Sequence, residues 1–350
     1  MYRAFEQAVV VVTGASAGVG RAVVRAFAAE GAHLGLIARG REGLERARVE
    51  VEGAGGRALV LPLDVASADA VDAAADEVER ELGPIDVWVN DAMVSVFAPI
   101  VDTTPDEFRR VTEVTYLGYV HGTLAALKRM RARDRGVIVQ IGSALAYRSI
   151  PLQAAYCAAK HAIHGFTESL RSELLHDRSR VHVTEVQLPA VNTPQFTWSR
   201  AKLPREPQPV PPIFQPEMIA DAVVFAARHR RREIWLAWPA VKAILSEKVA
   251  PWIGDRYLAK HGYDAQMTAE PRPAGRRDNL FHPLPGDHGA RGPFSARARS
   301  ASAAWWLSKH RGALLPVLAV GGIVAAAGAA ALRPPWWERA LRAWAGLRRG

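Results

Sequence analysis

The run Val9-Val-Val-Val-Thr-Gly-Ala-Ser-Ala-Gly-Val-Gly20 decides the fold class. Four consecutive valines read as a buried strand, and glycines at 14, 18 and 20 allow a tight turn into a helix. A strand, a glycine-rich turn and a helix in that order present backbone N–H groups and a helix N-terminus to a pyrophosphate. Thr13, Gly14, Ser16, Gly18, Val19 and Gly20 are therefore expected to shape a dinucleotide site.

Outward from this turn, apolar runs at 33–38, 58–63, 87–90, 137–141, 182–188 and 233–238 read as further buried strands. Amphipathic stretches at 21–30, 70–82, 105–133 and 152–177 separate them, and Pro216 opens another helix. Such alternation predicts an α/β fold: a doubly wound parallel sheet of about seven strands, Rossmann-type, covered on both faces.

Ser143, Tyr156 and Lys160 follow in the same chain. Tyr156 and Lys160 are four residues apart and share one helical face. An ammonium there favours the tyrosinate; bringing a phenol from about 10 to near neutral takes about 4 kcal/mol, shared between the lysine and a cationic nicotinamide. Ser143 offers a hydroxyl to a substrate oxygen. The chemistry expected is hydride transfer to or from a carbonyl, with Tyr156 handling the proton.

These motifs resemble the short-chain dehydrogenase/reductase family over residues 3–254. Its Thr-Gly-x-x-x-Gly-x-Gly matches Thr13 to Gly20, its Tyr-x-x-x-Lys matches Tyr156 to Lys160, and its serine matches Ser143. The resemblance implies that Lys160 also holds the nicotinamide ribose, that Asp64 in Leu63-Asp64-Val65 binds adenine, and that Pro189 to Thr193 borders the nicotinamide. It also implies a homodimer or homotetramer. Two departures stand out. The family's Asn-Asn-Ala-Gly is Asn90-Asp91-Ala92-Met93 here, and the asparagine that supports the lysine through a water is Thr115. They keep open an alternative to the enzyme, a membrane-tethered dinucleotide-binding sensor or scaffold. The second strand ends in Ala38-Arg39 without an acidic residue, so NADP is expected rather than NAD, with Arg39 on the 2′-phosphate. Residues 204–212 read as part of a substrate lid, with Trp198, Phe214 and Met218 as apolar walls or as core. No metal is expected, because His161 and His164 have no evident third ligand.

The net charge of +10 resides in the tail: from Pro271 onward there are 13 Lys+Arg against 3 Asp+Glu, and the chain before it is neutral. The catalytic part is therefore no nucleic-acid binder. The single cysteine, Cys157, excludes an internal disulfide. No secretory leader precedes the first strand, so a cytoplasmic catalytic domain is expected. Composition divides the chain into a catalytic domain (1–268), a Pro/Gly/Arg-rich linker (269–304) and a tail (305–350). Within the tail, 313–332 carries no charge, matches a bilayer's thickness and is flanked by Trp305-Trp306 and Trp336-Trp337. Residues 334–349 form a basic amphipathic pattern. Together they predict attachment to a membrane, and with it a lipophilic carbonyl or alcohol substrate.

Overall fold

The computed structural model describes residues 5–312. Valine- and isoleucine-rich strands without polar alternation need cover on both faces. They find it in one parallel sheet: β1 (Val9–Thr13), β2 (His33–Ala38), β3 (Ala58–Pro62), β4 (Ile85–Asn90), β5 (Val137–Ile141), β6 (His182–Gln187) and β7 (Glu233–Trp235). The order is β3-β2-β1-β4-β5-β6-β7, all neighbours parallel. The direction of winding reverses between β1 and β4, and a crevice opens there at the carboxyl ends of the strands.

Helices α1 (Gly18–Ala28), α2 (Arg41–Gly53), α3 (Ala68–Glu81), α4 (Pro105–Thr112), α5 (Gly118–Arg133), α6 (Ala154–His176) and α7 (Pro216–Arg228) cover the sheet. On one face α1 and α7 bury Val23, Phe27, Ile219 and Val223 against Val10, Val12, Leu34 and Leu36. On the other, α3 and α5 set Val71, Val78, Ala126 and Met130 on Val9, Val11, Trp88 and Ile138. Each such side chain contributes about 1.5–3 kcal/mol by leaving water. Local signals fix the ends: Thr104 and Glu107 form a capping box with Pro105 at the start of α4.

The expected helix over 105–133 is interrupted by a π-helical turn, Glu113–Leu117. The seventh strand stops at Trp235 rather than 238, because Trp238-Pro239 begins α8 (Trp238–Val249), followed by α9 (Pro251–His261). Phe214 and Met218 belong to the core beneath α7 and do not wall the lid.

The predicted linker is not one. Met267–Pro271 pairs antiparallel with Arg205–Pro207, and Ala298–Arg299 pairs parallel with Ile213–Phe214. Between them Leu280 and Ala290 are buried. Charged side chains that made this stretch look solvated are in part used internally. Arg276 donates to the Phe196 and Ser199 carbonyls, and Arg200 pairs with Asp278 at 3.0 Å. The compact unit accordingly runs to Trp305 rather than to 268. Trp305 is no interfacial anchor: it lies edge-on to Phe225 and donates to Asp221 Oδ2 at 2.8 Å. Among the described residues no helix is long and apolar enough to cross a membrane. The expectations for 313–332 and 334–349 fall outside the described residues.

Candidate active site

The glycine turn closes as its sequence requires. Gly18 has φ +62°, and a Cβ on Gly20 would lie 2.3 Å from the Gly14 carbonyl oxygen. Thr13 faces inward, its hydroxyl accepting from the Asp91 and Ala92 amides at 3.0 and 3.2 Å, which ties β1 to the loop after β4. Thr13 and Gly20 thus shape the turn, while Gly14, Ser16, Gly18 and Val19 line a cleft of about 420 Å³. Arg39, Asp64, Val65, Ser143, Tyr156, Lys160, Pro189 and Thr193 line the same cleft. The Thr193 hydroxyl is buried there without a protein partner. An unpaired hydroxyl beside a glycine cradle fits a polar ligand such as a nicotinamide dinucleotide.

Ser143 stands just past the end of β5, and its Oγ accepts from the Leu145 amide at 3.1 Å. Tyr156 and Lys160 lie on the first two turns of α6. The Lys160 ammonium is 5.6 Å from the Tyr156 ring centre. It donates to the Ile141 carbonyl at 2.6 Å and to the Tyr119 hydroxyl at 3.0 Å. Burial raises the Tyr156 phenol well above its ordinary value, and only the hydrogen bond from Ser143 opposes this. The phenol of the ligand-free protein is thus held above its ordinary value with the lysine nearby. Desolvation outweighs a charge that is committed to other partners.

The lysine has an unexpected companion. Burial draws Lys160 down to about 8 while Asp91 and Glu185 raise it. Burial also pushes Asp91 up to about 7, against the pull of Lys160 and the Gly20 amide. Asp91 lines the cleft, and its only trace in the sequence was the Asn-to-Asp departure.

Two expected site residues have side chains taken up by the scaffold. Asn90 turns away from the cleft: its Oδ1 accepts from Trp88 Nε1 at 2.8 Å and its amide donates to Gln140 and Thr123. Thr115 is fully buried in the π-helical turn. Its hydroxyl donates to the Val94 carbonyl at 2.9 Å and accepts from the Val94 amide at 3.1 Å, so it fixes the 91–94 loop. Cys157 is buried, and burial pushes its thiol up, as befits a packing residue.

Arg39 is placed at the cleft but its Nη1 donates to the carbonyls of Leu280 and Phe281, and Nη2 to that of Asn279. Arg110, missed in the sequence, pairs with Asp64 and donates to the Leu280 carbonyl at 3.1 Å. His164 meets Glu185 at 2.8 Å and Glu233 at 3.6 Å, a grouping drawn from α6, β6 and β7 that spacing alone hides. Tyr147 and Trp235 already donate to Glu233 at 2.6 and 2.8 Å.

Residues 8–203 match the family described as short chain dehydrogenase. Over 323 residues the chain is 31% identical to the uncharacterized oxidoreductase YxnA of Bacillus subtilis (strain 168), covering 92% of this chain and 90% of that one. Over 228 residues it is 29% identical to the fatty acyl-CoA reductase of Acinetobacter baylyi, covering 65% and 75%. A metagenomic short-chain oxidoreductase solved with NADP superposes with a TM-score of 0.56 at 29% identity, covering 66% of this chain and 97% of that one. The chain belongs to the short-chain dehydrogenase/reductase family, with a C-terminal extension outside the family core. It is an oxidoreductase acting between CH–OH and C=O with a nicotinamide cofactor.

Proposed function

We propose that this protein is an NADP(H)-dependent enzyme that reduces a lipophilic ketone or aldehyde, or oxidises the corresponding alcohol, through Ser143, Tyr156 and Lys160. The observation that carries the reading is that Ser143, Tyr156 and Lys160 line one cleft, with Tyr156 hydrogen-bonded to Ser143 and Lys160 one helical turn further along α6. When bound, the nicotinamide supplies or accepts the hydride. Ser143 holds the substrate oxygen. Tyr156 gives that oxygen a proton in reduction and removes it in oxidation. Its raised value keeps the proton on the phenol until substrate arrives, which suits reduction. Val94, Leu145, Ile150, Phe196 and Trp198 give the cleft apolar walls in support of a lipophilic substrate.

NADP is favoured by Arg39 just past β2, where an acidic residue would suit NAD, and by Arg110 of α4, which shares the Leu280 carbonyl with it. The sensor reading has no support from a cleft that assembles all three catalytic side chains. Assembly as a homodimer or homotetramer, and membrane attachment through 313–332, are carried by family resemblance and sequence pattern; light scattering and alkaline membrane fractionation test them. Tyr156→Phe is the direct test of function. It should retain NADPH binding, read by nicotinamide fluorescence, while turnover over a panel of long-chain aldehydes and ketones falls about 10²–10⁴-fold. Unchanged turnover would remove the mechanism.

A further inference from the structure

We propose that residues 279–289 of the C-terminal extension form an extra wall of the dinucleotide site, arranging Arg39 and Arg110 for an adenosine 2′-phosphate and opening for the nucleotide to exchange. The proposal rests on the NADP(H) reading above. These residues lie outside the stretch matched to the family, 8–203.

Position comes first. Asn279, Pro283, Leu284, Gly286 and His288 line the cleft that Ser16, Gly18, Arg39 and Asp64 also line. The segment is seated on the nucleotide half at both ends. At one end Leu280 is fully buried in the core beside Arg39. At the other the Gly289 carbonyl accepts from the Gly18 amide at 2.9 Å, inside the glycine turn. Between them Gly286 donates to Glu42, and Asp287 pairs with Arg21 at 3.2 Å.

Charge says what the wall is built for. The Leu280 carbonyl accepts from Arg39 at 3.3 Å and from Arg110 at 3.1 Å, so one backbone oxygen holds two guanidinium groups together. Asp64 pairs with Arg110, and among the described residues Arg39 hydrogen-bonds to the carbonyls of Asn279, Leu280 and Phe281 and to no carboxylate. Two cations with one carboxylate leave a positive charge in a partly dry site, and carbonyl dipoles neutralise it incompletely. A phosphate on the 2′-oxygen supplies the missing anion and suits the planar donors of arginine. The neutral ribose diol of NAD does not.

Attachment is also light enough to open. The segment has no helix or strand between Pro271 and Ser295. Gly275, Gly286 and Gly289 have positive φ and open space around them, which are the features of hinges. One buried leucine and a few hydrogen bonds at an exposed edge make a low-stability unit of the fold.

A reversible lock tests this in the full chain. A Cβ on Gly40 would lie 3.6 Å from Pro283 Cβ, inside the range of about 3.5–4.5 Å that a disulfide spans. The double variant Gly40→Cys/Pro283→Cys should cross-link on oxidation, with buried Cys157 taking no part. NADPH association and dissociation, followed by stopped-flow fluorescence, should slow at least about tenfold when oxidised and recover with dithiothreitol. Leu280→Asp, which ejects the anchor, should speed NADPH release at least about tenfold and reduce the NADPH-over-NADH preference in equilibrium binding. Equal exchange rates in the locked and reduced forms overturn the proposal, as does failure of the pair to cross-link. Loss of preference without any change in exchange overturns the gating part. Binding of neither nucleotide by the reduced protein strikes the NADP(H) reading itself, a result separate from binding without gating.

Discussion

Replacing Lys160 by methionine should make the nucleotide-free protein more stable while abolishing turnover. The ammonium is only 2% exposed, held by the Ile141 carbonyl and the Tyr119 hydroxyl. Burial moves it from 10.5 to about 8. Burial therefore leaves the folded state with unfavourable free energy on the order of a few kcal/mol whenever Lys160 is protonated. Loss of its hydrogen bonds costs about 1–2 kcal/mol in the opposite direction, limited because Tyr119 still donates to the Ile141 carbonyl at 3.1 Å. Asp91, already pushed up to about 7, takes up a proton once its cation is gone, which caps the cost of leaving it alone. The net gain at pH 7 is on the order of 1–2 kcal/mol, or about 2–6 °C in Tm for a chain of this size. The pH dependence has a definite sign. A base whose folded value lies below its unfolded one destabilises fully below about 8, progressively less up to 10.5, and not at all above. Urea unfolding of K160M and wild type at pH 7 and above pH 10.5 should show the advantage at the first and its disappearance at the second. A variant less stable than wild type at pH 7 would refute the reasoning.

Other outcomes follow from the same geometry. Gly20→Ala places a Cβ 2.3 Å from the Gly14 oxygen and 2.9 Å from Asp91 Oδ2, so it should cost about 1–3 kcal/mol and weaken nucleotide binding in calorimetry. Gly53→Ala, with nothing within 4 Å, should be neutral or stabilising by about 0.5–1 kcal/mol. The hydrogen bond from His164 to Glu185 raises the histidine's value, so its stabilisation is present below 6.5 and fades as pH rises through the folded value. His164→Asn should therefore lower Tm more at pH 6 than at pH 9, and equal losses would contradict the pairing. Thr115→Val leaves the Val94 amide and carbonyl unpaired and should cost about 1–3 kcal/mol in urea unfolding, whereas Thr115→Ser should behave like wild type.

Much of the fold was legible because it is written in short-range pattern. Runs such as Val9–Thr13 and Val137–Ile141 bury every residue, and that is what unbroken apolar stretches in a parallel sheet must do. The proximity of the candidate set was legible for the same reason: Tyr156 and Lys160 are one helical turn apart, and the glycine spacing follows from the turn it builds. At Asn90 and Thr115 the side chains are taken up by neighbours that no local rule reveals, Trp88, Thr123 and Gln140 at the first and Val94 at the second. Residues 269–304 misled through composition. A stretch rich in arginine and proline without a period looks solvated until Arg272 and Arg276 are seen to donate to distant carbonyls.

Spacing and residue type by themselves determined the strand–turn–helix start, the doubly wound sheet and the order of Ser143, Tyr156 and Lys160, since each is a relation between residues close in the chain. Only the folded molecule decided that Asp91 sits with Lys160, that Arg39 and Arg110 share the carbonyl of Leu280, and that residues 279–289 flank the cleft. Those relations join residues tens to hundreds of positions apart. Desolvation and geometry set their energies, and neither leaves a periodic mark in a string of letters.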